Sequence, residues 1–360
     1  MAIEPLVLES LGPWARSSNE LTGAGVRDVL NYTKNSFVWI SAQMSPSHRN
    51  DLTPSNQSQP QNTSHAAIGV KFVAMAGPGE VRLESDQYTP LELQRIAQLC
   101  VDEVKRIEKK YSRYDPQSVV SSINAASGQE PVTLDAETQT LLDYAQTLYD
   151  NSSGLFDITS GVLRRAWRFD QKTPPHPDDL QALLALVSWG KVQRQGGSVF
   201  LPLKGMEIDF GGFGKEYAAD RAALTLQREG ISNGFVNLSG DIRVVGPKFN
   251  GEPYRMGIQH PREPNKLLAS IPIHQGALAT SGDYERFFEH DGRRYCHIIN
   301  PQTGQPVQGW QSVSVLAPLA IVAGSCSTCA MLLEDKGLDY LGASGFSFLG
   351  VDAQGRVHQQ

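Results

Sequence analysis

No apolar run in this chain reaches the roughly 18 residues that would span a membrane as a helix. The start of the chain has no basic stretch followed by a continuous apolar one, and no lipid-accepting cysteine. The expectation is a cytoplasmic protein without a membrane span. Long basic runs are missing too, and the formal net charge is −6, so nucleic acid is a disfavoured partner. Cysteine is scarce: Cys100, Cys296, Cys326 and Cys329 are the only four. Cys326 and Cys329 have the spacing of a redox motif, but they fall inside an apolar helical stretch, residues 320–333. A thioredoxin-like pair would sit at a helix start after a strand. Both read better as small buried hydrophobes. No internal repeat is evident.

What is present is ordinary for a globular chain of 360 residues: 40% hydrophobic and 19% charged. The 33 glycines and 21 prolines suit a loop-rich α+β protein. Residues 1–65 have weak periodicity. Within them, residues 44–65 are so rich in Ser, Asn, Gln and Pro that burial cannot offset the entropy of ordering them. The division is therefore a poorly structured extension and linker over 1–65 and one domain over 66–360. Residues 1–43 carry enough apolar character for a short docking helix.

The organising stretch is residues 206–221, MEIDFGGFGKEYAADR. It reads as a short buried strand over 206–210, then a glycine turn, then a helix from about Lys215. Gly211, Gly212 and Gly214 let another group approach the main chain closely. A helix start presents unpaired N–H groups and a positive dipole end, which together bind anions. Lys215 adds a mobile charge, and Asp209 a carboxylate. The phosphate loops known by simple patterns do not fit. Asp209 stands where a P-loop needs its first Gly, and Tyr217 where a dinucleotide fingerprint needs its last.

Around this stretch the spacing gives a hairpin over 70–84, turning at Ala74-Met75-Ala76-Gly77. A helix follows over 89–110, with Thr89 as N-cap, Pro90 in the first turn and Glu92 closing a capping box. Ile96, Leu99, Cys100, Val104 and Ile107 form its apolar stripe, broken by Glu103. Further helices are expected after the loop at 111, over 135–149 and over 178–186. Residues 156–161 read as a strand running into a turn and then a helical stretch to Phe169. Hairpins are expected at 191–203 and 346–357, strands at 234–246, 254–259, 267–273 and 313–316, and polar turns at 277–284 and 297–304.

Polar glycine turns recur at strand ends: FDITSG, DFGGFGK, NLSGD, ATSGDY and HIINPQTG. They carry Asp157, Asp209, Asp241, Asp283 and His297. Any one is ordinary turn chemistry; five suggest one polar site gathered from distant segments. In this order, with AMAG, YDPQSVVSSIN and SCSTCAMLL, they resemble the ApbE-type FAD:protein FMN transferases over residues 71–333.

The resemblance implies an α+β fold of mixed β-sheets with outer helices, in two lobes with a flavin cleft between them. It implies FAD as substrate, Mg2+ as cofactor, and an acceptor protein offering a Thr or Ser hydroxyl. FMN is transferred and AMP leaves. Flavin contacts would fall on Met75, Tyr114, Leu155, Phe156, Asp157, Asp209, Lys215 and Ile298. The metal would be held by the Gly212 carbonyl and the Thr328 hydroxyl. His297 would be the general base. One departure stands out: the family's metal-binding Asp in A-D-x-x-x-T is replaced here by Gly324. Either magnesium binds weakly, through the flavin phosphates and another acid such as Asp283, or the protein binds FAD without efficient transfer. Hydrolysis of FAD to FMN and AMP is a further alternative. Restoring the acid with Gly324→Asp is expected to raise magnesium affinity.

Overall fold

A computed structural model describes residues 65–360. Residues 1–64, with the expected docking helix and linker, lie outside the described residues. The chain folds around an eight-stranded sheet in the order β1-β2-β6-β7-β10-β13-β14-β15. Its strands are Ala66–Ala74 (β1), Gly77–Ser85 (β2), Asn233–Leu238 (β6), Asp241–Gly246 (β7), Gly276–Gly282 (β10), Trp310–Ala317 (β13), Ser347–Asp352 (β14) and Val357–Gln359 (β15). Small satellite sheets are built from Val132–Thr133 (β3), Gln193–Gln195 (β4) and Ser198–Phe200 (β5); from Tyr254–Gln259 (β8) and Leu267–Ile273 (β9); and from Phe287–His290 (β11) and Arg293–Cys296 (β12). Each ladder between these strands is antiparallel, which narrows the expected mixed sheets.

The helices are Pro90–Tyr111 (α1), Val119–Ala125 (α2), Ala136–Asn151 (α3), Pro177–Leu184 (α4), Gly214–Arg228 (α5), Ala320–Leu333 (α6) and Gly337–Ser344 (α7). The α1 capping box forms as expected, with the Thr89 amide donating to Glu92 Oε2 at 2.8 Å. Leu99 is only half-buried, while Leu93, Ala97 and Val101 join the stripe. Glu103, the polar break, pairs with Arg106 and reaches Arg221 on α5 at 3.1 Å.

Strand side chains alternate between sheet faces. On β7, Val245 packs with α1, α5 and α6 in the main core, while Ile242 and Val244 face the β8–β9 ribbon. On β10, Ala277 and Ala279 turn to the helices and Leu278 to the ribbon. A smaller cluster of Val162, Leu163, Trp167, Leu180 and Phe288 joins α4 to the β11–β12 hairpin.

Three sequence expectations are corrected. Residues 206–210 belong to no strand or sheet. The Asn124 side chain takes a neighbouring strand's place there: it accepts from the Ile208 amide at 2.7 Å and donates to the Ile208 carbonyl at 3.0 Å. Residues 156–161 are no strand; Ile158–Arg165 is a 3-10 helix capped by Asp157. Residues 277–284 are not chiefly a turn but most of central strand β10, whose small residues let α6 lie close above it.

Candidate active site

The glycine turn is anchored by its aromatic residue. Phe213 is fully buried, stacked with Phe156 and edge-on to Tyr144. A side chain at Gly212 would meet the Phe156 ring at 2.8 Å, so only glycine fits between them. Phe213 is also the N-cap of α5, and no side chain caps that helix start. The Gly214 amide, first of the helix, instead donates to the Phe210 carbonyl at 2.7 Å, so the turn's own backbone closes part of the helix start. The start of α6 is also without a local cap, but there Asp220 of α5 accepts from the Ala320 and Ile321 amides, each at 2.9 Å. The start of α6 is thus closed from a distance, whereas that of α5 has no side-chain cap and carries Lys215 in its first turn.

Two carboxylates on α5 face two groups on β7. Glu216 and Asp220 are one helical turn apart, about 6 Å along the axis. Asp241 and Arg243 are two strand residues apart, about 6.7 Å. The matched spacing sets Glu216 beside Asp241 and Asp220 against Arg243. Lys215 Nζ reaches Asp241 Oδ2 at 2.6 Å. Burial alone would depress the ammonium, but Asp241 and Glu216 outweigh it and raise its pKa. For Glu216, burial and then Asp241 push the carboxyl well above the usual range.

The α6 face over this group carries Gly324 and, one turn later, Thr328. Ser281 of β10 lies 2.9 Å from Thr328 Oγ1 and 2.8 Å from Ser327 Oγ. Lys215 is close enough that its charge acts on His297. His297 is an exposed residue. Crowding by the surrounding protein, then the Arg286 and Lys215 cations, push its pKa down to about 4. It is therefore neutral at ordinary pH and able to take a proton.

Lys215, Gly324, Thr328 and His297 thus share one region with Gly212 at its edge. Arg113 links Asp209 to Tyr114, ion-pairing with the carboxylate and donating to the Tyr114 hydroxyl at 2.9 Å. Tyr114 is 75% exposed, a ring available for stacking. Met75 and Ala76 form a two-residue hairpin turn, both at positive φ (56° and 60°), held by a 2.6 Å bond from the Met75 amide to Glu108. Leu155 is half-buried, and Phe156 and Ile298 are buried.

Two expected acids are otherwise engaged. Asp283 is held by both Arg262 nitrogens at 2.7 Å, with Arg294 nearby, and lines a cavity that includes none of Lys215, His297 or Thr328. It cannot make up for the missing carboxylate at Gly324 without breaking that fork. Asp157 accepts from the Thr159 and Trp189 amides, so its oxygens serve the backbone. The sequence reading passed over Arg113, Arg286 and Glu216. Glu216 gave no signal, because an acid in the first turn of a helix is ordinary helix-start chemistry.

Among the described residues no trio of His, Cys, Asp or Glu is arranged as a metal cage. The donors present are nonetheless those of a hard cation: the Thr328 hydroxyl, the Gly212 carbonyl and a Glu216 oxygen that is buried without a hydrogen-bond partner. Magnesium commonly uses one or two carboxylates and completes its shell with water and phosphate.

The chain is similar to curated FAD:protein FMN transferases. One from Klebsiella pneumoniae is 32% identical over 59% of this chain and 68% of its own. One from Vibrio cholerae is 30% identical over 65% of this chain and 72% of its own. The solved ApbE protein of Thermotoga maritima superposes with a TM-score of 0.75 at 31% identity, covering 82% of this chain and 97% of the other. A family model described as "ApbE family" matches residues 75–347, which take in the glycine turn, Lys215, His297 and Thr328 together. By sheet, turn and sequence alike, the chain belongs to the ApbE family.

Proposed function

We propose that this protein is an FAD:protein FMN transferase, moving FMN from FAD to a Thr or Ser hydroxyl of an acceptor protein. The observation that carries this reading is the uncapped start of α5, with Lys215 beside it and the neutral His297 within reach of its charge. Phosphoryl transfer needs mostly positioning and charge neutralisation. The positive end of the α5 dipole and Lys215 receive the diphosphate. Tyr114 and Met75 border the region where a flat ring would lie. His297 takes the acceptor hydroxyl's proton as its oxygen bonds to the FMN phosphorus. The bond from that phosphorus to the bridging oxygen breaks, and AMP leaves. A magnesium ion, held by Thr328, the Gly212 carbonyl and an acid, would neutralise charge on the phosphates.

The experiment is to incubate the chain with FAD, magnesium and a candidate acceptor domain. AMP release with covalent flavin on the acceptor is expected. AMP without a flavinylated acceptor would point to hydrolysis, and bound FAD with neither product to a flavin-binding protein.

A further inference from the structure

We propose that Glu216 supplies the carboxylate ligand for the divalent cation, from α5, in the space that Gly324 leaves open on α6. The inference rests on the transfer reaction proposed above, of which it names the cation site.

The first observation is steric. A Cβ built on Gly324 would lie 2.6 Å from both Glu216 Cγ and Glu216 Oε1, and 2.9 Å from Cδ. The Glu216 side chain therefore fills the volume that any side chain at position 324 would need. In this packing one of the two positions carries the acid, and an acid at 324 would have to displace the Glu216 side chain. The structure assigns it to 216.

The second is an orphaned atom. Glu216 is only 7% exposed, and its Oε2 is buried with no hydrogen-bond partner. Buried polar oxygens without partners are rare in folded proteins, and a missing ion is one of the usual reasons. The nearby cations are already engaged: Lys215 with Asp241 at 2.6 Å, and Arg243 with Asp220 at 3.3 Å. Glu216 and Asp241 are thus two neighbouring carboxylates served by one ammonium group.

The third is the chemistry of the surrounding oxygens. Thr328 Oγ1 lies one helical turn beyond Gly324 and is held at 2.9 Å by Ser281. Hydroxyl and carboxylate oxygens are what a hard dication prefers, and one or two carboxylates suffice when phosphates complete the shell. An acid on α5 also differs in consequence from one on α6. It moves with Lys215, its chain neighbour, so that the cation and the ammonium group are positioned by the same turn of helix. The steric contact also corrects the expectation for Gly324→Asp. With Glu216 in place, the added side chain collides rather than contributes.

The test uses the full chain and Mn2+ as the probe, followed by the loss of the free-ion electron paramagnetic resonance signal. Three proteins are titrated without FAD and again with it: the native chain, Glu216→Gln, and the double variant E216G/G324D. Glutamine keeps the volume of Glu216, and thermal melts check that each variant is folded. The native chain is expected to bind, E216Q to bind about tenfold or more weakly, and the double variant to regain most of the loss by moving the acid to α6. Equal Mn2+ affinity in the native chain and E216Q would overturn the proposal, as would no Mn2+ binding by the native chain under either condition. A separate FAD fluorescence titration without metal reads the other question. Failure to bind FAD there sinks the transferase reading, whereas the Mn2+ titration of the FAD-free chain reports on Glu216 alone.

Discussion

Arg243 Nε lies 3.3 Å from Asp220 Oδ1, and both side chains are buried between α5 and the sheet. The same carboxylate closes the start of α6 through the Ala320 and Ile321 amides. Removing it leaves a buried guanidinium without its counter-charge, still bonded to the Val244 and Gly276 carbonyls, and two amides unpaired. Asp220→Ala is expected to lower stability by about 3 to 5 kcal/mol, read from urea unfolding. Asp220→Asn keeps one capping oxygen and should lose less. A loss under about 1 kcal/mol for the alanine variant would refute the bridging role.

Lys215 is the cation at the open helix end. Lys215→Ala should weaken FAD binding about ten- to hundredfold, the range for losing a charge-assisted bond. Quenching of flavin fluorescence on titration measures it. Unchanged FAD affinity would remove Lys215 from the diphosphate site.

His297 titrates at about 4 in the folded chain against an ordinary 6.5. As pH falls, the unfolded chain takes up this proton first. The contribution of His297 to stability is thus complete above about pH 6.5 and is lost as pH falls through about 4. Because His297 is an exposed residue, screening reduces the size of the effect. His297→Gln should flatten the acid side of the stability curve in that window. As general base, the neutral form is needed, so the acid limb of kcat/KM should lie well below pH 6.5 in the native chain. His297→Ala should cut transfer by about a hundredfold or more. An acid limb centred at 6.5 would contradict the crowded, cation-flanked setting.

Burial pushes the Cys326 thiol up to about 12, and Cys329 higher still. At pH 8 only about one Cys326 in ten thousand is a thiolate. Iodoacetamide should leave both unlabelled in the native chain and label both in urea, as read by mass spectrometry. Rapid native labelling would reopen the redox reading.

Much of the framework could be read along the chain because its signals are local. The Thr89–Glu92 capping box, the Gly196-Gly197 hairpin turn and the bounds of α6 each depend on a few neighbouring residues. Residues 206–210 had the composition of a strand yet pair with no strand, because a side chain from α2 supplies the bonds. Residues 277–284 looked like a turn because Ala, Thr, Ser and Gly are common in turns. Their strand state comes from pairing with β7 and β13 and from the cover of α6. Asp283 and Asp157 were plausible ligands by type, and only their partners elsewhere in the chain show them engaged.

By itself the sequence determined where the chain turns, where helices begin, and that a glycine turn with a lysine would meet an anion. These follow from backbone geometry and from the free N–H groups of any helix start. Only the tertiary structure decided which acids remain free. Asp220 reaches across 100 residues to cap α6, and Glu216 rests against Gly324 from a different helix. Direct packing of α5 against α6 on one face of the sheet brings such residues together, and no spacing along the chain records it.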